Sequence, residues 1–200
     1  MPTGVATGAG GIASDDRVRQ ACEPRTVGLV IVPPTHSRRA VAIVTGGASH
    51  AGRDVACGLA TRAWAIVVVY LHHQSRAEAT IAEIIAAEGT TVAVRSDLAD
   101  DLDVQRLFTE SIAAFGGVDV VVHTTTEGPA LLYRHAARYV RPGGAIVSTS
   151  AAERVLPGVA RQFRERGITV GRAPPETVLA FLDEWRRRTY RPEDPQRGVV

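Results

Sequence analysis

Residues 41–53 read VAIVTGGASHAGR. Val41 to Val44 are apolar without a break, the pattern of a strand covered on both faces. Thr45, Gly46 and Gly47 then close the run, so the stretch predicts a strand entering a phosphate-binding loop, with a helix opening behind it. The second half departs from that pattern. His50 stands where such a loop needs a glycine for the backbone to approach a phosphate closely.

Working outward, alternation continues with short gaps from residue 40 onward. A helix is expected over 52–63, then the strand AIVVVYL. A second helix opens at Ser75, with Glu78 three residues on as a capping box. The strand TVAVRSD follows. Val104, Leu107, Phe108, Ser111, Ile112 and Phe115 then fall at helical spacing, closed by Gly116 and Gly117. VDVVVHT is a fourth strand, a helix begins near Pro129 and ends before RPGG, and AIVSTS is a fifth strand. A short helix near 157–166, the strand ITV and a helix from about 175 to 188 complete the series. Strands alternating with helices over short connections predict an α/β, Rossmann-like, doubly wound parallel sheet in a single domain over 40–190. Residues 1–25 are small, Gly-rich and aperiodic, and predict a flexible leader. Residues 26–39, opening with TVGLVIVPP, predict a strand or arm, and 191–200 a loose tail.

Composition excludes several classes. A formal net charge of +2 carries no basic stripe, so no nucleic-acid partner is expected. No run approaches the length of a membrane span, and no signal pattern opens the chain, so a cytoplasmic location without membrane contact is the default expectation. Cys22 and Cys57 lack metal-ligand spacing. All 23 basic residues are arginine. A guanidinium stays protonated and cannot serve as a proton-shuttling amine, so any mechanism requiring lysine is excluded.

VTGGASHAG, SDL, FGGVDVVV, RPGGAIVSTS and RGITV occur together, in the order and spacing of the short-chain dehydrogenase/reductase family, over roughly residues 38 to 175. The combination resembles that family far more specifically than one glycine motif does. The resemblance implies NAD or NADP bound across the ends of strands 1 and 4. It also implies hydride transfer by Ser, Tyr and Lys, the last two paired as Tyr-x-x-x-Lys on one helix. The family loop Thr-Gly-x-x-x-Gly-x-Gly maps onto Thr45, Gly46, His50 and Gly52, with Ser49 in the loop. His50 either blocks the pyrophosphate or meets a phosphate directly as a donor. No acid follows strand 2, where YLHHQSRAE places His72, His73, Ser75 and Arg76. That set suits a 2′-phosphate, so NADP is favoured over NAD wherever the loop still accepts a dinucleotide. His72 and His73 lack a third ligand, and no metal is expected. Asp97 and Leu98 match the family's adenine-contacting pair.

The chemical half of the family pattern is altered. The Asn-Asn-Ala-Gly turn after strand 4 is replaced by His123, Thr124, Thr125 and Thr126. Ala151 falls in the serine's place with Ser150 just before it. Tyr70, Tyr133, Tyr139 and Tyr190 all lie outside the segment that would carry the catalytic tyrosine. The helices after strands 4 and 5 are shortened, and in the family these build the main dimer interface, so homo- or hetero-assembly stays open. Three functions remain. In the first, family-type redox catalysis is lost. His50, His123 and Ser150 then serve acid–base work (cyclisation, dehydration or isomerisation) on a small molecule in the crevice at the carboxyl ends of strands 1, 4 and 5, bordered by Thr124 to Glu127, or the chain is a pseudoenzyme partner. The second is an NADP(H)-dependent oxidoreductase with an atypical proton donor. The third is a pure protein-interaction module.

Overall fold

The computed structural model describes residues 39–126, 128–150 and 155–189. The leader, all of the arm except Arg39, Glu127, Ala151 and the tail lie outside the described residues. The central strands are largely apolar runs, each with a connection turning at its carboxyl end. In chain order the elements are β1 (Val41–Val44), α1 (His50–Ala60), β2 (Ala65–Tyr70), α2 (Gln74–Ala86), β3 (Thr90–Arg95), α3 (Asp101–Phe115), β4 (Val118–His123), α4 (Pro129–Tyr139), β5 (Val140–Ser148), α5 (Pro157–Glu165), β6 (Thr169–Arg172) and α6 (Pro175–Thr189). The six strands pair in parallel in the order β3-β2-β1-β4-β5-β6. The doubly wound parallel sheet is therefore as the sequence predicts. The order reverses between β1 and β4, where a crevice opens at the carboxyl ends of the strands.

Strand alternation divides the core in two. Ala42, Val44, Ile66, Val68, Val120 and Val122 face α1, α2 and α6, packing with Leu59, Trp64, Ile84, Leu182 and Trp185. Ile43, Val67, Val69, Val121 and Ile146 face α3, α4 and α5, packing with Leu107, Phe108, Leu132 and Phe163. Both faces of the sheet are covered, which is why the strands read as unbroken apolar runs.

At the opposite end of the sheet a buried polar clamp ties three strands together. Asp119 on β4 accepts the Val41 N–H at 2.9 Å and the Arg141 guanidinium at 3.1 Å. The side chains of Asp119 and Arg141 are only 6% and 11% exposed. This explains part of the FGGVDVVV and RPGG patterns as structure. Gly117 adopts φ +152°, and a Cβ there would overlap the Arg141 guanidinium.

Three expected boundaries shift. Helix α1 begins at His50 because the Ser49 side chain accepts the Gly52 N–H at 3.1 Å and caps it. His50 is therefore the first helical residue rather than part of the loop. The capping box at Ser75 does not form. His73 turns the chain in a left-handed conformation, φ 59°, so α2 starts at Gln74 with no side-chain cap. Ser75 then sits within the first turn, and the Gln74 amide donates to Glu78 at 2.8 Å. β5 begins at Val140 rather than Ala145, its RPGG segment absorbed by a register shift between Val118 and Val120.

Candidate functional site

The loop after β1 is shaped by glycines that leave no room for side chains. Gly46 adopts φ +66°, and a Cβ on it would lie 2.7 Å from both Thr124 Oγ1 and Thr125 Cγ2. A Cβ on Gly52 would fall 2.2 Å from the Gly46 carbonyl oxygen. The first turn of α1 therefore rests on the loop backbone, the close approach that a third loop glycine serves in dinucleotide folds.

Threonines hold the ends of β1, β4 and β5 together. Thr124 Oγ1 donates to the Thr45 carbonyl at 2.6 Å, and the Thr124 N–H donates to Thr45 Oγ1 at 3.1 Å. Thr45 Oγ1 in turn lies 2.9 Å from His123 Nδ1. The Thr149 N–H reaches the His123 carbonyl at 2.9 Å. His123 is fully buried at 0% exposure, with its ring edge-on to Tyr133 at 6.2 Å. It sits beneath the crevice and braces it. Ser150 is half-buried at the end of β5, its N–H donating to Ser148 Oγ at 3.1 Å.

A cavity of about 240 Å³ opens between the β1 loop and the ends of β2 and β3, lined by Gly46, Ser49, Tyr70, Arg76, Ser96 and Leu98 among others. Val69, Leu71 and Leu98 make its walls apolar, while His72, His73 and Arg76 stand at its rim. Ser96 Oγ and Thr125 Oγ1, from two of its lining residues, are buried without a hydrogen-bond partner. Buried hydroxyls are ordinarily satisfied, so orphans beside a cavity mark a place where a ligand can complete the bonding. Burial holds the Tyr70 phenol above its usual value, against the opposing pull of Arg95, so it remains a hydrogen-bond donor at neutral pH. A second cavity, about 300 Å³, lies outside the loop and is lined by Ala48, Ser49, His50, Arg53, Arg76, Ala79 and Thr80.

Of the residues singled out in the sequence, Gly46, Ser49, Arg76 and Leu98 converge on the first cavity, and His50 lines the second. Thr45 and Gly52 shape the loop rather than the cavity wall. The Asp97 carboxylate accepts the Ala99 N–H at 2.9 Å, a local turn at the mouth of the strand. Of the two histidines expected to share one crevice, His50 lines the outer cavity and His123 is fully buried beneath the strand ends. Ser96, Tyr70 and Leu71 were missed. The signal for them was positional, since each stands at the carboxyl end of a parallel strand, where an open α/β sheet binds its ligands.

Comparison with known proteins agrees with this architecture. Residues 40–132 match the family model described as short chain dehydrogenase. Over this segment the chain is similar to the short-chain dehydrogenase/reductase family. It is 28% identical over 142 residues to a versicolorin reductase of Aspergillus parasiticus, covering 60% of this chain and 54% of that protein. A hydroxynaphthalene reductase of Aspergillus fumigatus is 25% identical over 193 residues, covering 76% of this chain and 70% of its own. The chain thus spans about half the length of the first of these curated relatives. Among solved structures, a Serratia marcescens short-chain dehydrogenase/reductase superposes with TM-score 0.58 at 25% identity, over 70% of this chain and 75% of its own. A short-chain dehydrogenase from Burkholderia cenocepacia in complex with NADP also reaches 0.58, at 24% identity and the same coverage. The family match ends at Leu132. No helix among the described residues is long and apolar enough to cross a membrane.

Proposed function

We propose that this chain is a nucleotide-holding member of its family that binds NADP(H) at the β1 loop and has lost tyrosine–lysine hydride transfer. One observation carries the reading: the connection from β5 to β6, residues 149–168, contains neither tyrosine nor lysine, and the whole sequence contains no lysine. An acid for carbonyl reduction needs its pKa brought toward neutrality by a neighbouring cation. Tyr133 is 3% exposed against the buried His123, and Tyr70 lines the cavity at the far side of the loop with its pKa raised rather than lowered.

The binding half fits the cofactor. Val69, Leu71 and Leu98 offer apolar walls to a base, the orphaned Ser96 and Thr125 hydroxyls offer it hydrogen bonds, and Gly46 leaves backbone open to a phosphate. Arg76 has no carboxylate partner among the described residues and suits a 2′-phosphate. NADPH supplies a hydride when bound. This chain's residues would bind and orient the cofactor, with no tuned proton donor to complete a reduction. The bound state then serves either a non-redox conversion of a small molecule or a regulatory partnership. Similarity to two fungal reductases favours a second reading, a reductase with an unfamiliar donor.

Calorimetric titration with NADP, NADPH, NAD and NADH, followed by NADPH absorbance with a panel of carbonyl compounds, tests both. Binding of NADP(H) without loss of absorbance is expected. Turnover of any carbonyl substrate would establish the reductase instead, and failure of all four nucleotides to bind at millimolar concentration would refute nucleotide holding.

A further inference from the structure

Helix α2 buries Ala77, Thr80 and Ile84 along one stripe. Ala77 and Ile84 are ordinary members of the apolar core, whereas Thr80 places a hydroxyl among them at 0% exposure. A threonine inside a helix ordinarily donates back to the carbonyl one turn earlier, and Thr80 Oγ1 lies 3.1 Å from the Arg76 oxygen in that way. The same hydroxyl also reaches out of the helix, to the Gly47 carbonyl at 3.0 Å. Its single proton is shared between the helix and the loop after β1.

Gly47 is fixed on both sides. Its N–H donates to the Val69 carbonyl on β2 at 2.9 Å, and a Cβ on it would overlap the Val68 side chain. Its carbonyl is turned toward α2 by Thr80. Within a trans peptide the C=O and the next N–H point in opposite directions, so the Ala48 N–H is turned away from that contact. Ala48 lines the cavity of about 240 Å³ in which the Ser96 and Thr125 hydroxyls stand without partners. Its own N–H donates to no described residue.

We propose that Thr80 is a positioning residue for ligand binding: its hydroxyl anchors the Gly47 carbonyl to α2 and so presents the Ala48 N–H to a ligand in the cavity. The inference rests on the proposed nucleotide binding and adds a residue on α2, outside the glycine loop, on which that binding depends. Without the hydroxyl the buried Gly47 carbonyl loses its donor. Glycine tolerates most backbone angles, so the Gly47–Ala48 peptide is then free to rotate toward another partner, and the Ala48 N–H leaves the cavity.

Calorimetric titration of the unaltered chain, Thr80→Val and Thr80→Ser tests this with NADP and with adenosine 2′-monophosphate, which carries the base and the 2′-phosphate but no pyrophosphate. Valine keeps the branched shape and removes the hydroxyl, and serine keeps the hydroxyl. Thr80→Val should bind NADP roughly tenfold more weakly and the monophosphate unchanged, while Thr80→Ser should restore NADP affinity to within about twofold. Undiminished NADP binding by Thr80→Val, equal loss of both probes, or failure of serine to rescue overturns the inference and leaves Thr80 a packing residue. Amide hydrogen exchange on the unaltered chain checks the same point without a substitution. Saturating NADP should slow exchange at Ala48, and an unchanged rate with NADP bound overturns the inference while leaving nucleotide binding intact. If the unaltered chain binds neither probe, the nucleotide reading is refuted and this inference with it.

Discussion

Replacing Gly52 by alanine sets two effects of opposite sign against each other. Alanine in a helix is favoured over glycine by about 1 kcal/mol. Here the added methyl would lie 2.2 Å from the Gly46 carbonyl oxygen, 2.6 Å from its carbon and 3.0 Å from the Gly47 nitrogen. All three are backbone atoms, so no rotamer change relieves the overlap. Either the first turn of α1 or the loop must move by roughly an ångström, and overpacking of this kind costs about 1–3 kcal/mol. The loop is pinned in turn by Thr124 Oγ1 on the Thr45 carbonyl at 2.6 Å, and by the contact of Gly46 with the threonine turn. With all three clashes against backbone, strain exceeds propensity, with a net loss of up to about 2 kcal/mol and a Tm lower by up to about 8 °C. NADP affinity should fall by an order of magnitude or more, because the displaced atoms are the loop backbone itself. Gly158→Ala is the matched control. That glycine lies in α5 with nothing within 4 Å of its Cβ position, so propensity acts alone and Tm should rise slightly. A Tm for Gly52→Ala at or above that of the unaltered protein would refute the close packing of loop on helix.

Three other perturbations probe the rest of the molecule. Asp119→Ala removes the carboxylate from the buried Arg141 guanidinium, leaving it the Gly116 carbonyl, and from the Val41 N–H, and should cost about 3–5 kcal/mol in urea unfolding, whereas a loss under about 1 kcal/mol would show the clamp to be dispensable. Burial, with Glu83 adding to it, pushes the Cys57 thiol up to about 11, so alkylation by iodoacetamide should be slow at neutral pH and accelerate steeply only in strong alkali, and rapid labelling at neutral pH would contradict the burial. Hydrogen bonds from His135 and Arg134 hold the Asp101 carboxyl below its usual value, so its stabilisation is complete above the ordinary carboxylate range and is lost as pH falls through the depressed value. Asp101→Asn should flatten that acid limb in a Tm-against-pH series while leaving the alkaline side unchanged.

The architecture was legible because each strand carries enough apolar residues to be covered on both faces and each helix shows one stripe. Ala42 and Val44 could be assigned to one layer and Ile43 to the other by alternation alone, and the structure divides them that way. Boundaries were less legible where backbone geometry outweighs composition. The left-handed turn at His73 starts α2 one residue before the predicted capping box, a conformation that a histidine does not advertise in sequence. RPGG reads as a turn, yet parallel pairing with β4 carries it into β5 through a register shift. The lining of the cavities was partly legible. Arg76, Ser49 and Leu98 fell in recognisable places, while Ser96 and Tyr70 gave no signal beyond standing at strand ends.

His123 shows how burial and neighbours bear on what residue type alone suggests. A histidine at the end of a central strand offers acid–base chemistry near neutral pH, and that is how it reads in sequence. In the structure its fate is set by the three threonines around it. Thr45 presents a hydroxyl to Nδ1, Thr124 presents its N–H to that same hydroxyl, and Thr149 closes on the His123 carbonyl. Each contact ties two of the strands β1, β4 and β5 at the point where the strand order reverses. This threonine–histidine network braces the turn after β4, and Gly46 packs directly against Thr124 and Thr125. The same contacts support the loop backbone at Gly46, so the proposed nucleotide hold and the rigidity of the turn after β4 stand on one set of hydrogen bonds.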